Sequence, residues 1–495
     1  MPNILAYIVV FSYPLVVVAL FRKLSLPKAL IWSILGGYLF LPEEVKLNLP
    51  LLPTLDKATI PAISSAIAIK FFVKKSVLER SATKERVTAH RPRSVRTTSH
   101  VPRSAGRVML LLALIAVIAP LATFYTNREP VIWGPLVLPA MRMYDAFSLS
   151  MATAMTLIPF LLARRQLRSP EAHSDILKAL VWAGSILSLL ILVEVRLSPQ
   201  LNKWVYGFYP HSFGQHVRNG GYRPMLFLEH GLRVGIFMSM AVLAAAGLYR
   251  LREGRKPTLW LLLAGWLLLV LFLSKTLGAL AIALLLLSVC LAFGLRTQIL
   301  IAACLSGVVL MYPMVRGAGL APIETIGTVA ERISEKRSAS FLFRLKNEDA
   351  LLSRANEKPL FGWGSWYRNG IFSENGRQES VTDGTWVIAI GVRGWIGYLG
   401  LFGLLTLPVI LLTLRAKQLA IDGATAGLMI VLVANLIDLI PNSSLVPLTW
   451  MIAGALAGRY ELGRKEISSE VQSKPDRRKR VSRRSLSAHQ PRRAP

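Results

Sequence analysis

Apolar runs dominate the chain. Ile4–Phe21, Val108–Tyr125, Ala146–Leu162, Leu177–Val195, Met225–Leu248, Leu259–Leu273, Leu277–Phe293 and Trp395–Leu414 are each predominantly hydrophobic. A helix needs about 20 such residues to cross the hydrocarbon core of a bilayer, so these runs predict spanning helices. Leu30–Leu41 is short for a span, and Ala58–Val73 is moderately apolar with Lys70 near one end. Ser274-Lys275-Thr276 joins two runs too tightly to leave a real loop. Gly391, Gly394, Gly397 and Gly400 recur every three residues, which predicts a re-entrant or broken helix at that point.

The polar segments between these runs fall into two kinds. Lys74–Arg107 carries ten basic residues against Glu79 and Glu85, and a second basic segment runs from Arg459 to Arg493. Smaller basic clusters sit at Arg22-Lys23, Arg164-Arg165-Arg168, Arg250–Lys256 and Arg415–Lys417. All flank apolar runs, as cytoplasmic loops do under the positive-inside rule. Placing them inside gives about 12–13 spans, with the N-terminus outside and the C-terminus cytoplasmic. The first run lacks a small-residue cleavage site, so it reads as a retained span. Two loops then fall outside: Arg196–Arg223, rich in aromatic and histidine residues, and Arg316–Asp383, where ten basic residues balance nine acidic ones.

The expected organisation is therefore an all-α, polytopic membrane protein. Residues 1–73 hold the first spans, 74–107 a basic loop, and 108–315 further spans with an external loop at 196–223. A large external loop fills 316–383, more spans occupy 384–460, and a basic tail covers 461–495. Arg80–Arg107 and Leu462–Pro495, rich in Ser, Arg and Pro, are expected to be disordered.

Composition agrees with that reading: of 495 residues, 53% are hydrophobic and 17% charged, too apolar for a soluble protein of this length. A net charge of +31 first suggests nucleic acid, but the charge lies in membrane-flanking segments with no aromatic-interleaved fold, so anionic lipid headgroups are the expected partner and nucleic acid is not. Cys290 and Cys304 both lie in apolar runs without metal-ligand spacing and read as packing residues.

Candidate chemistry gathers near Arg316–Asp383. Ser338 to Asn356 predicts a helix lying outside the membrane or on its surface, with Ser338 or Ser340 able to cap it and Pro359 and Gly362 to stop it. Arg337 and Arg344 share a face and Arg354 lies about a quarter-turn away. Arginine holds phosphate oxygens by paired hydrogen bonds; the alternative is that Arg344 pairs with Glu348 one turn on. Pro359-Leu-Phe-Gly-Trp-Gly364 lacks the ending of a nucleotide-binding loop. Its aromatics, Trp363 among them, can rest at the membrane interface or stack on a sugar ring. Asp383, where the loop re-enters an apolar run, can act as a general base or cap the next helix. Glu229, His230 and Arg233 sit near the outer end of Met225–Leu248, where Glu229 and Arg233 can neutralise each other. Arg223 falls at headgroup level, and Lys275 occupies the tight outer turn. The seven histidines form no metal-ligand pattern with carboxylates.

Taken together, these residues resemble the O-antigen ligase and polysaccharide polymerase family of bacterial inner membranes. The matching region runs from Arg223 to Gly400, roughly a third of the chain. It includes Arg344-Leu-Lys, Arg354, Asn-Glu-Lys-Pro-Leu-Phe-Gly-Trp-Gly364, Asp383 and Gly391-Val-Arg-Gly-Trp-Ile-Gly397, with Ser274-Lys-Thr-Leu-Gly-Ala279 as the family's small-residue turn. The resemblance implies a metal-independent glycosyltransferase with a GT-C-like helical fold and one large periplasmic loop. Such an enzyme moves a glycan from an undecaprenyl pyrophosphate carrier to a sugar or lipid acceptor and needs no cofactor. By matching position, Arg344, Arg354 and Asp383 take catalytic roles. Arg223 or Arg233 becomes a second pyrophosphate contact, and Glu229, His230, Lys275 and Trp363 line the substrate. Many ligases carry a His-Asn pair where this chain has Asp383-Gly384, which points toward a polymerase at least as much as toward lipid A-core ligation. A transporter or a non-catalytic export scaffold is the alternative.

Overall fold

The computed structural model describes residues 1–48, 53–85, 103–218, 220–254, 256–320, 335–364 and 367–473. The chain is an all-α, multi-pass membrane protein, with almost no sheet among the described residues. Its helices are α1 (Ile4–Lys23), α2 (Leu26–Phe40), α3 (Thr59–Glu85), α4 (Arg103–Thr126), α5 (Met143–Thr156), α6 (Ile158–Gln166), α7 (Pro170–Leu197) and α8 (Leu201–Tyr206). There follow α9 (Gly231–Arg250), α10 (Pro257–Leu273), α11 (Leu277–Ala292), α12 (Leu295–Gly317) and α13 (Glu335–Asn356). The last four are α14 (Thr385–Leu414), α15 (Ala416–Leu419), α16 (Gly423–Asp438) and α17 (Pro447–Ser473). Two short antiparallel hairpins, Val131–Trp133 with Leu136–Leu138 and Val217–Arg218 with Gly221–Tyr222, decorate the loops.

Among the described residues, seven helical stretches are long and apolar enough to cross a membrane and five shorter apolar helices accompany them. Helix α9 is the centre of the bundle, with 89% of its apolar window buried. It packs against α7, α10, α11 and α16, while α14 packs against α4, α12 and α17. Local signals start the helices where side-chain acceptors meet the first free N–H groups: Asn3 accepts from Ala6, Ser169 from Ala172 and Asp422 from Thr425.

Four expectations are corrected. The predicted span Met225–Leu248 begins only at Gly231, because the buried Glu194 carboxylate accepts the N–H groups of Met225 (2.7 Å) and Leu226 (2.8 Å) and Leu226 adopts φ +52°. The predicted span Ala146–Leu162 is present as the apolar stretch Met143–Gln166, but it is not one continuous helix: α5 and α6 meet at Leu157, with Pro159 in the first turn of α6. Helix α3 runs on to Glu85 and α17 to Ser473, deeper into the basic segments than expected; the rest of 86–102 and 474–495 lies outside the described residues, as do the caps expected of Ser338 and Ser340 and the side chain of Arg337. Cys290 is buried as expected, but Cys304 is exposed on the bundle surface. The predicted break in Gly391–Gly400 is present: Gly394, at φ +67° and ψ −178°, interrupts α14.

The bundle has two polar ends. One gathers the N-terminus, which bonds the end of α8 (Asn3 N to Tyr206 O, 2.9 Å), the residues around Glu43 and Lys57, the loop residues 207–218 and 220–230, the Ser274–Thr276 turn, and residues 335–364 and 367–383. At the other, Arg164 pairs with Glu461 at 2.7 Å, Arg250 donates to Phe293 O and Arg459 to Leu419 O. The small basic clusters lie at this second end.

Candidate functional site

A backbone-to-backbone lock fixes the site's base. The Pro359–Gly364 turn lies against the break in α14: Trp363 N–H donates to Gly391 O (2.8 Å), Gly364 N–H to Val392 O (3.0 Å) and Trp395 N–H to Pro359 O (2.8 Å). A methyl group on Gly394 would lie 2.2 Å from Leu360 O, and one on Gly362 2.5 Å from Gly394 N. Both positions have positive φ, so glycine is required twice over. The break exposes carbonyls that the turn's N–H groups satisfy, as buried backbone demands. The two glycine-bearing motifs are thus halves of one joint.

Helix α13 stands above that joint. Arg316 donates to Leu345 O (3.0 Å) and pairs with Asp349 (2.9 Å), and the Tyr312 hydroxyl donates to Glu348 (3.1 Å). Burial raises the Glu348 carboxyl above its usual range, against the pull of Tyr312 and Arg316. Glu348 is therefore committed to Tyr312, and the pairing with Arg344 expected from helical spacing does not form. Arg344 instead faces Asp383, Nε to Oδ2 at 3.4 Å. Asp383 does not cap α14, whose N-cap is Gly384. Phe343, Arg344, Asn347, Glu348, Val381 and Asp383 enclose a cleft of only about 10 Å³, room for one water.

Arg223 comes from the other polar loop. It is 9% exposed, its Nε has no hydrogen-bond partner, and its methylenes cross Gly231, where a methyl would sit 2.5 Å from them. Burial pulls Arg223 down to about 10, with the neighbouring charges of Arg218 and Arg344 adding to the effect. Two arginines from distant loops are thus held within electrostatic range of each other, an arrangement that favours a multivalent anion between them. Asp438, at the end of α16, also lies within range of Arg344; it is buried and accepts from Asn442 (2.8 Å) and Ser444 (2.6 Å).

His230 sits beside this arginine and caps α9 by accepting from Leu232 N. Its ring lies 4.8 Å from that of His211 and 4.9 Å from that of His216. His216 Nε2 accepts from Gly231 N and its Nδ1 faces Ser212 O, so it is neutral and tautomerically fixed. Burial first, then repulsion from His216 and His211 once those rings take up a proton and from Arg223, pulls His230 down to about 3. The spacing of these three histidines along the chain gave no sign of the cluster. Among the described residues, no group of three or more His, Cys, Asp or Glu side chains is placed to hold a metal ion.

The remaining candidates are committed elsewhere. Arg233 pairs with Glu229 (2.5 Å) and Glu43 (3.4 Å), while Lys57 pairs with Glu43 (3.0 Å) and donates to Phe227 O. Burial opposes charge on Glu43, yet Lys57 and Arg233 outweigh it and hold the carboxyl below its usual range. This network clamps the residues around Glu43 and Lys57 to the start of α9 and occupies Arg233. Lys275, at φ +56°, donates to Arg218 O (3.0 Å) and ties the helical turn to the Arg223 loop. Arg354 stacks 3.5 Å from the Trp363 ring centroid, lies over Trp133 and pairs with Glu357 (2.5 Å). Trp363 is buried and donates to Arg354 O (2.7 Å), so it is neither an interfacial anchor nor an open sugar platform. Arg368, unremarked in the sequence, is 1% exposed and donates to Trp363 O, Pro139 O, Asn127 Oδ1 and Glu129 O.

The arrangement therefore brings Arg344, Asp383 and Arg223 together, with His230 alongside, and assigns Arg354, Trp363, Glu229 and Arg233 to the frame. Glu43, Lys57, Glu194 and Asp438 were missed; each is an ionisable residue in or beside an apolar run, the signal that marks such positions. No family model matches the sequence, and comparison with curated proteins finds no match.

Proposed function

We propose that this chain is a membrane glycosyltransferase that moves a glycan from an undecaprenyl pyrophosphate carrier to a sugar or lipid acceptor. The reaction would run at the periplasmic face of the bacterial inner membrane, in the manner of an O-antigen ligase or polysaccharide polymerase. The observation that carries the reading is the half-exposed Arg344–Asp383 pair beside the buried Arg223. A diphosphate entering the cleft exchanges Asp383 for phosphate oxygens on Arg344, with Arg223 as the second cation. The freed carboxylate then accepts the proton of the acceptor hydroxyl as that oxygen attacks the anomeric carbon and the pyrophosphate leaves with the bonding pair. Charge on both arginines favours the leaving diphosphate. Location of the small basic clusters at the opposite end of the bundle supports placing the site outside the cytoplasm.

Purified protein supplied with a labelled carrier-linked oligosaccharide and a sugar acceptor tests this. Transfer of label to the acceptor is expected; translocation across a vesicle without transfer would mark a transporter, and neither outcome would mark a scaffold.

A further inference from the structure

A second polar site lies within the bundle, at the break in α14. Thr385, Ile388, Arg393, Leu401, Phe402 and Ser443 are among the residues lining a cavity of about 230 Å³, far above the ~10–15 Å³ that one water occupies. Ser443, exposed in the loop before α17, lies at its mouth. Arg393 is the residue before Gly394, and its side chain runs against Gly397, where a methyl would sit 2.4 Å from Arg393 Cβ and 3.5 Å from Cγ and Cδ. The missing side chain at Gly397 lets the arginine lie along the helix.

Arg393 has almost nothing to pair with. Its Nη2 reaches Thr153 Oγ1 at 3.5 Å, and its Nε is buried without a hydrogen-bond partner. Among the described residues no carboxylate lies within ion-pairing distance. Arg316 by contrast has Asp349, and Arg368 is ringed by acceptors. An uncompensated cation inside a membrane bundle is costly and marks a substrate path or an ion site.

We propose that this cavity binds the phosphate group of an amphiphile. The guanidinium takes the phosphate oxygens in paired hydrogen bonds, and Ile388, Leu401 and Phe402 offer a surface for the hydrocarbon chain. The proposal goes beyond glycan transfer, since it requires binding and no turnover.

The test is a titration of the full chain in phosphate-free maltoside detergent with farnesyl phosphate, farnesol and inorganic phosphate, read by calorimetry. It is run in an Arg344→Ala background so that the cleft does not contribute. Farnesyl phosphate is expected to bind there, Arg393→Gln to weaken it at least tenfold, and farnesol to bind no better than the Arg393→Gln variant binds the phosphate. Ile388→Trp, which fills the cavity and leaves Arg393 in place, is expected to cause a similar loss. Unchanged affinity in both variants overturns the site. Inorganic phosphate binding as tightly as farnesyl phosphate overturns the amphiphile and leaves a free anion. If Arg344→Ala alone abolishes all binding, the cavity falls and the donor cleft stands. If Arg344→Ala changes nothing relative to wild type while Arg393→Gln removes binding, the cavity stands and the donor cleft falls.

Discussion

Arg344 and Asp383 lie 3.4 Å apart with side chains 40% and 38% exposed. Pairs of that kind contribute about 0–1 kcal/mol to stability, so on the proposed function a diphosphate would displace the carboxylate at little cost. Arg344→Ala is therefore expected to lower transfer about 10²–10³-fold while the protein still folds, checked by turnover alongside a melting curve. Arg368 is the opposite case. Its guanidinium fills acceptors from two separate loops and touches no cleft, so Arg368→Ala is expected to cost about 2–4 kcal/mol of stability, read as a lower melting temperature. The sequence distinguished these arginines poorly. Arg344 was legible from its helical position, but Arg354 carried the same signal and proves to be stacked on Trp363. Whether a guanidinium is free or spent depends on which carbonyls and rings the fold brings to it, and those come from residues far away in the chain.

Helices were the most legible level, because apolar runs and first-turn acceptors act locally. The failures arose where a distant side chain intervened, as when Glu194 captured the N–H groups of Met225 and Leu226 and delayed α9. The glycine spacing in α14 announced a break but not its partner, the Pro359–Gly364 turn. Gly394→Ala places a methyl 2.2 Å from Leu360 O at a φ of +67°, and a loss of about 3 kcal/mol or more is expected. Thermal unfolding of the purified variant measures it. The start of α9 carries a pH signature. His230 titrates at about 3 in the folded chain and near 6.5 when unfolded. Between those values the unfolded state binds the extra proton, so stability is full above about pH 6.5 and declines as pH falls toward about 3. Amide protection factors across 225–233, each taken against the intrinsic rate at its own pH, are expected to fall from pH 7.5 to pH 5, and His230→Asn to remove that fall.

At the scale of the whole molecule, the polar loops that hold Arg223, Arg344 and Asp383 meet at one end of the bundle while the small basic clusters occupy the other. The proposed topology, with the site outside, rests on the positive-inside rule. Glu374→Cys and Gln418→Cys, each introduced alone into a chain whose Cys290 and exposed Cys304 are replaced, test it. In intact cells an impermeant maleimide is expected to label the first and to reach the second only after permeabilisation. The division of labour at the site is tested most directly by comparing donor binding and turnover of purified wild type, Arg344→Ala and Asp383→Asn with a carrier-linked oligosaccharide. Arg344→Ala should lose donor affinity and transfer together, whereas Asp383→Asn should bind the donor as tightly as wild type or tighter and transfer at least 100-fold more slowly. Wild-type transfer rates in both variants would contradict the account.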